Sequence, residues 1–122
     1  MTRPLFVEAD VHPAIRDKIA GYQSDLLDTV RAAVKADDIV VVGMAQNPHV
    51  KKARALLKSR GLEFTYLEYG SYLGAWRQRL ALKMWTGWPT FPMVFVKGTF
   101  VGGAADLTRL AESGELDELL GR

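Results

Sequence analysis

Residues 88–106 read Trp88-Pro89-Thr90-Phe91-Pro92-Met93-Val94-Phe95-Val96-Lys97-Gly98-Thr99-Phe100-Val101-Gly102-Gly103-Ala104-Ala105-Asp106. Pro92 directly precedes the apolar run Met93 to Val96, where a proline opens a strand without owing a donor to its ladder. Lys97-Gly98 turns the chain and Thr99-Phe100-Val101 returns it, so the pattern predicts a two-stranded hairpin. Gly102-Gly103 ends the second strand and opens a helix over 104–112 whose first backbone N–H groups lack intrahelical acceptors. Such a terminus attracts anions. A proline-opened strand, a hairpin and an anion-attracting helix start thus follow one another within nineteen residues.

Upstream, residues 1–10 read as an extended or poorly ordered arm. Beyond His12-Pro13, Ile15, Ile19, Tyr22, Leu26, Val30 and Ala33 recur every three or four positions, while Arg16, Asp17, Asp25, Asp28 and Arg31 fall between them. That spacing predicts an amphipathic helix over 13–36, bent at Gly21. Asp37-Asp38 stops it, and the β-branched run Ile39 to Val42 predicts a central strand buried on both faces. Asn47-Pro48 is a helix start, because Asn caps free N–H groups and Pro at the first helical position gives up none that was needed. This helix stops at Gly61. Alternation over 62–68 predicts a half-exposed strand, and 72–85 a helix with Leu73, Trp76, Leu80 and Met84 on one stripe. Strand, helix, strand, helix, hairpin, helix is the order of the thioredoxin-like α/β fold. That means three layers, a four-stranded mixed sheet flanked by helices, here with an extra N-terminal helix. The first two strands, joined by a helix, should be parallel with a right-handed crossover. The chain divides into an arm and helix, 1–36, and a domain, 37–122.

These residues resemble the glutaredoxins, and the monothiol branch in particular. The resemblance is carried by Trp88-Pro89-Thr90-Phe91-Pro92, the Val96-Lys97-Gly98 turn, Val101-Gly102-Gly103 and Asp106, and upstream by Asp38 to Val42 and Lys51 to Phe64. It covers 37–121. It implies a cis bond before Pro92, a Gly-Gly-x-x-Asp segment that holds the γ-glutamyl carboxylate of glutathione, and a role in cell redox homeostasis. The implied binding residues are Arg79, Thr90, Phe91, Pro92, Gly102, Gly103, Ala105 and Asp106, with Lys51 as a further candidate. Two positions depart from the pattern. Where the family has its cysteine motif, Cys-Pro-Tyr-Cys in the dithiol branch, this chain has Asn47-Pro48-His49-Val50. Met44 stands where the family usually has a lysine that contacts the glycyl carboxylate.

Composition narrows the classes further. A chain of 122 residues, 48% hydrophobic and 25% charged with a formal charge of +2, is of ordinary globular make-up, which excludes disorder. No apolar run approaches bilayer length and residues 1–10 lack the apolar core of a signal peptide, so no membrane association and a cytoplasmic location are expected. There is no cysteine. Disulfides, thiolate metal sites and a thiol nucleophile from this chain are therefore excluded.

Because an amide is no redox nucleophile, dithiol exchange, deglutathionylation through a mixed disulfide and cysteine ligation of an iron–sulfur cluster are all expected to be absent. No catalytic residue is assigned within Asn47, Pro48, His49 and Val50. Asn47 reads as a helix cap and His49 as a surface histidine, since the other His is at position 12 and no metal site is expected. Lys51, Lys52, Arg54, Lys58 and Arg60 follow without an acid over 47–61. Of these, Lys51, Arg54 and Lys58 share a face, either a solvated one or a site for a small dianion. A nucleic-acid patch is the poorer choice and no nucleic-acid partner is expected, for want of a stacking platform or a recognition motif. Arg79 and Lys83 project from one side of their helix. The resemblance gives Arg79 the glycyl carboxylate; the alternative is a surface pair beside the core tryptophans Trp76, Trp85 and Trp88.

Three functions remain open. The first is a glutaredoxin-related protein without thiol redox chemistry that keeps a groove for glutathione or an extended peptide, requires no cofactor, and acts as a binding or regulatory module. The second is an enzyme that activates bound glutathione for transfer to an electrophile. The third is a homodimer or protein-interaction module that uses residues 12–36 and the tryptophans.

Overall fold

Five buried residues in a row form β1, Ile39–Gly43, the inner strand of the sheet. The computed structural model describes residues 11–71 and 74–122. Before β1 come α1, Pro13–Gly21, and α2, Ser24–Ala36; after it come α3, Pro48–Ser59, and β2, Thr65–Glu68. The chain continues through α4, Trp76–Thr86, the hairpin β3, Met93–Val96, and β4, Thr99–Gly102, then α5, Ala104–Ser113, and α6, Glu115–Leu119. Strand order is β2-β1-β3-β4. β2 runs parallel to β1, while β3 is antiparallel to both β1 and β4.

The sheet sorts its side chains by the two-residue period of a strand. Ile39 and Val41 face a core shared with Ala53 and Leu57 of α3, Leu107 of α5 and Leu116 of α6. Val40 and Val42 face the other core, with Val30 of α2, Leu82 of α4, Met93 and Phe95. Helices thus cover both faces, giving the three layers expected from the sequence. The hairpin turns at Lys97 and Gly98, both with positive φ (50° and 80°), as the twist of a two-residue hairpin requires.

Three element boundaries differ from the sequence expectation. The helix over 13–36 is two helices, because Gln23 sits in the left-handed region with φ 52° and breaks the ladder beyond Gly21. The strand over 62–68 begins only at Thr65, since the Leu62 N–H turns back to Leu57 O and closes the end of α3. Gly61, with φ 67°, makes that reversal. The helix over 72–85 begins at Trp76, and its first residues, 72 and 73, lie outside the described residues, as does the arm over 1–10. Its stripe faces solvent: Trp76, Leu80 and Met84 are 59%, 40% and 57% exposed. Periodicity marks a stripe without saying which side is covered, and here Ala81 and Leu82 are the buried pair. Among the described residues no helix is long and apolar enough to cross a membrane.

Candidate functional site

Three chain reversals meet at one end of the sheet. Val42 is paired with Met93 and Val94 with Gly102, so the segment after β1, the segment before β3 and the turn after β4 lie side by side. The Phe91–Pro92 peptide is cis. Gly103 lies beside it: a Cβ there would stand in ordinary contact, 3.6 Å from Pro92 O and 3.7 Å from Trp88 Nε1. Trp88 is held in place by its backbone N–H, which donates to Thr86 Oγ1 at 3.1 Å, and by edge contact of its ring with Phe100. Phe91 is buried with Met44 and Val50 in the core beneath, while Thr90 is exposed. The Phe91 N–H and C=O have no hydrogen-bond partner among the described residues.

The head of α5 offers donors. Asp106 Oδ2 accepts from the Gly103 N–H at 3.0 Å, and Leu107 N–H continues the helix to Gly103 O. Between them, the N–H groups of Ala104, Ala105 and Asp106 have no acceptor among the described residues. Asp106 is itself half-exposed, with Oδ1 3.6 Å from Arg109. A carboxylate arriving here would meet free amides at the positive end of a helix.

The head of α3 is closed instead. Asn47, 8% exposed, accepts through Oδ1 from the N–H of His49 at 2.9 Å and of Val50 at 3.2 Å. Pro48 has no N–H, and Lys51 N–H goes to Asn47 O. The whole first turn is therefore satisfied by one residue. His49 and Lys51 are exposed beside it.

Arg79 is buried, and its Nη1 donates to Tyr69 O at 3.1 Å and also to Gly74 O. It ties together the loop between β2 and α4. That loop in turn anchors the segment after β1, through Ala45 N–H to Gly70 O at 2.8 Å and Tyr69 N–H to Gly43 O at 2.9 Å. Lys83, on the same helix, lies 5.8 Å from the centre of the Phe91 ring. The core tryptophans of the alternative reading divide: Trp76 is solvent-facing under Arg77 and Trp85 half-exposed over Phe95.

The basic face of α3 is less solvated than its spacing suggests. Lys51 and Lys58 are exposed, but the Arg54 guanidinium lies 3.9 Å above the Tyr66 ring. Tyr66 donates to Glu68 Oε1 at 2.8 Å, and burial, with Glu68 adding to it, pushes its phenol up to about 12. Sequence reading missed this cluster, because a cation on one helix and an aromatic on the next strand are linked only by the fold. Among the described residues no three His, Asp or Glu side chains converge as metal ligands.

With this geometry in hand, comparison with known proteins is specific. A family model described as Glutaredoxin matches residues 39–101. A glutaredoxin-like protein of Dictyostelium discoideum is 47% identical over 102 residues, which span 84% of this chain and 83% of that one. Monothiol glutaredoxin-4 of Schizosaccharomyces pombe is 29% identical over 105 residues, 82% of this chain and 42% of the longer relative. The crystal structure of a buckwheat glutaredoxin–glutathione complex superposes with a TM-score of 0.70 at 22% identity, over 80% of this chain and 89% of that one. That last likeness is one of fold.

Proposed function

The chain belongs to the glutaredoxin family, and from that premise, in a sequence without a thiol, we propose that it is a binding module that keeps the family groove and has lost thiol–disulfide chemistry. Its ligand is glutathione or an extended peptide ending in a carboxylate. The observation that carries this reading is the meeting of the Phe91–Pro92 backbone, Gly103 and the unpartnered N–H groups of α5 at one end of the sheet. In the proposal, the free N–H and C=O of Phe91 pair with the ligand as an added strand would. The N–H groups of Ala105 and Asp106 receive its far carboxylate, and Thr90, Pro92, Gly102 and Gly103 form the wall. Lys51 adds positive field from the rim, and Arg79 holds the loop behind. A related protein solved as a glutaredoxin–glutathione complex lends support. A cytoplasmic location belongs to the same proposal.

Activation of bound glutathione is the poorer reading, because the amides that would steady a thiolate at α3 already bond to Asn47 Oδ1. The test is to titrate reduced glutathione and S-methylglutathione into isotopically labelled protein. Matching, saturable shifts at Phe91, Ala105 and Asp106 are expected, with no turnover in a glutathione-dependent disulfide reductase assay. Reductase turnover, or silence of those amides at millimolar ligand, would refute the proposal.

A further inference from the structure

Trp85, near the end of α4, is the open half of an aromatic stack. Its ring lies on Phe95 with centroids 5.8 Å apart and planes 28° apart, and 39% of its surface stays exposed. Two hollows open beside it, between α2 and α4. The first, about 320 Å³, is walled by Leu27, Arg31, Ala81, Met84 and Trp85 among others. The second, about 600 Å³, runs from Arg31 and Trp85 to Lys35 and Gly98 in the hairpin turn. Sharing Asp28, Arg31 and Trp85, they form one trough, and none of its residues belongs to the groove described above.

Its chemistry is uneven in a useful way. The floor is apolar and holds an aromatic face already fixed from behind, so stacking on the open side costs little further ordering. The rim has two cations against one carboxylate. Arg31 pairs loosely with Asp28, at 3.8 Å and with both side chains exposed, and Lys35 has no carboxylate partner among the described residues. A hollow of about 300 Å³ is at the small end of organic-ligand pockets. A second copy of the chain fits less well, because the trough carries Arg31 and Lys35 against Asp28 alone, so two such faces would bring an excess of like charge together.

We propose that this trough is a second binding site, for a flat aromatic organic anion. The ring lies on Trp85 between Leu27, Ala81 and Met84, and the carboxylate or sulfonate sits between Arg31 and Lys35. The proposal stands independently of the glutathione-type groove.

The probe is 1-naphthoate, titrated into the full-length labelled protein, with 1-naphthamide as its uncharged counterpart. Expected are saturable shifts of the Trp85 indole N–H and the Arg31 and Ala81 amides, with Phe91 and Asp106 unmoved. Naphthamide should bind about tenfold more weakly, the worth of one charge-assisted contact. Arg31→Gln, an exposed position, should weaken naphthoate by about the same factor and leave naphthamide unchanged, a split that misfolding would not produce. Trp85→Leu should weaken both. Equal affinity for acid and amide would overturn the proposal, as would shifts at Phe91 and Asp106 instead, or no shifts at all. Broadening of the Trp85 signal that grows with protein concentration without probe would overturn it too, by making the trough a contact between copies.

Discussion

Asn47 Oδ1 lies 3.2 Å from the backbone nitrogen of Val50, buried at the head of α3. Together with the bond from His49, it places a carboxamide oxygen at the helix end where the resemblance puts a sulfur. The residue serves the fold. Asn47→Ala should therefore cost about 1 kcal/mol, the worth of an N-cap, read as a lower urea midpoint with an unchanged slope. No loss would mean that water caps the helix as well as the amide does.

Asn47→Cys asks what that helix end does to a thiol. With the amide gone, the N–H groups of His49 and Val50 point at the new sulfur, and a helix N-terminus favours the thiolate. The introduced thiol should titrate below the ordinary value of about 8.5. Alkylation rate against pH measures it cleanly, since the chain has no other cysteine. A value at or above the ordinary one would show that burial at this position cancels the dipole.

Much of the fold was legible because its signals are local. The β-branched run of β1, Asn47-Pro48, the Gly61 stop and the Lys97-Gly98 turn each act through their own neighbours. So does Gly102-Gly103, which brings the candidate groove into view. The features that escaped depend on distant partners. Gln23 carries no residue-type signal for its left-handed backbone, so the segment reads as a single helix bent at Gly21. Arg79 reads as a contact to the glycyl carboxylate by resemblance, or else as a surface cation, because nothing in its helix announces the carbonyls of Tyr69 and Gly74. Arg54 looked solvated because Tyr66 belongs to another element.

Tyr66 supplies a pH signature. Burial and the bond to Glu68 raise its folded-state pKa from 10 to about 12. The unfolded chain therefore loses the phenolic proton first as pH rises. Its contribution is fully present below pH 10 and is lost as pH climbs through the folded value. Stability should fall between pH 10 and 12. Tyr66→Phe should flatten that fall in part, leaving the contribution of Tyr69, whose pKa burial also raises. An identical slope in the variant would show that other groups govern the alkaline limb.

Gly102 is the strained point of the groove wall, with φ 102° and room for no side chain: a Cβ would meet Asp106 Oδ2 at 2.6 Å. Gly102→Ala should cost about 1–3 kcal/mol for the backbone alone and more for displacing the Asp106 carboxylate from Gly103. Adding Asp106→Ala removes the atom that clashes, so the double variant should be less destabilised than the sum of the singles. Strict additivity would place the damage in the backbone only.

Arg79 separates fold from ligand. Its guanidinium is buried and donates to two loop carbonyls, and bonds of that charged kind are worth about 1.5–3 kcal/mol. Arg79→Met keeps the length and removes the donors. It should lower stability by about 2 kcal/mol and speed amide exchange at Ala45, whose N–H is bound to the same loop at Gly70. Glutathione affinity, measured where both proteins are folded, should fall by less than tenfold, because the amides that receive the carboxylate in the proposed site are on α5. Unchanged stability with a large loss of affinity would reverse the assignment. Arg79 would then be free to reach a ligand, and the loop would be held by something other than its side chain.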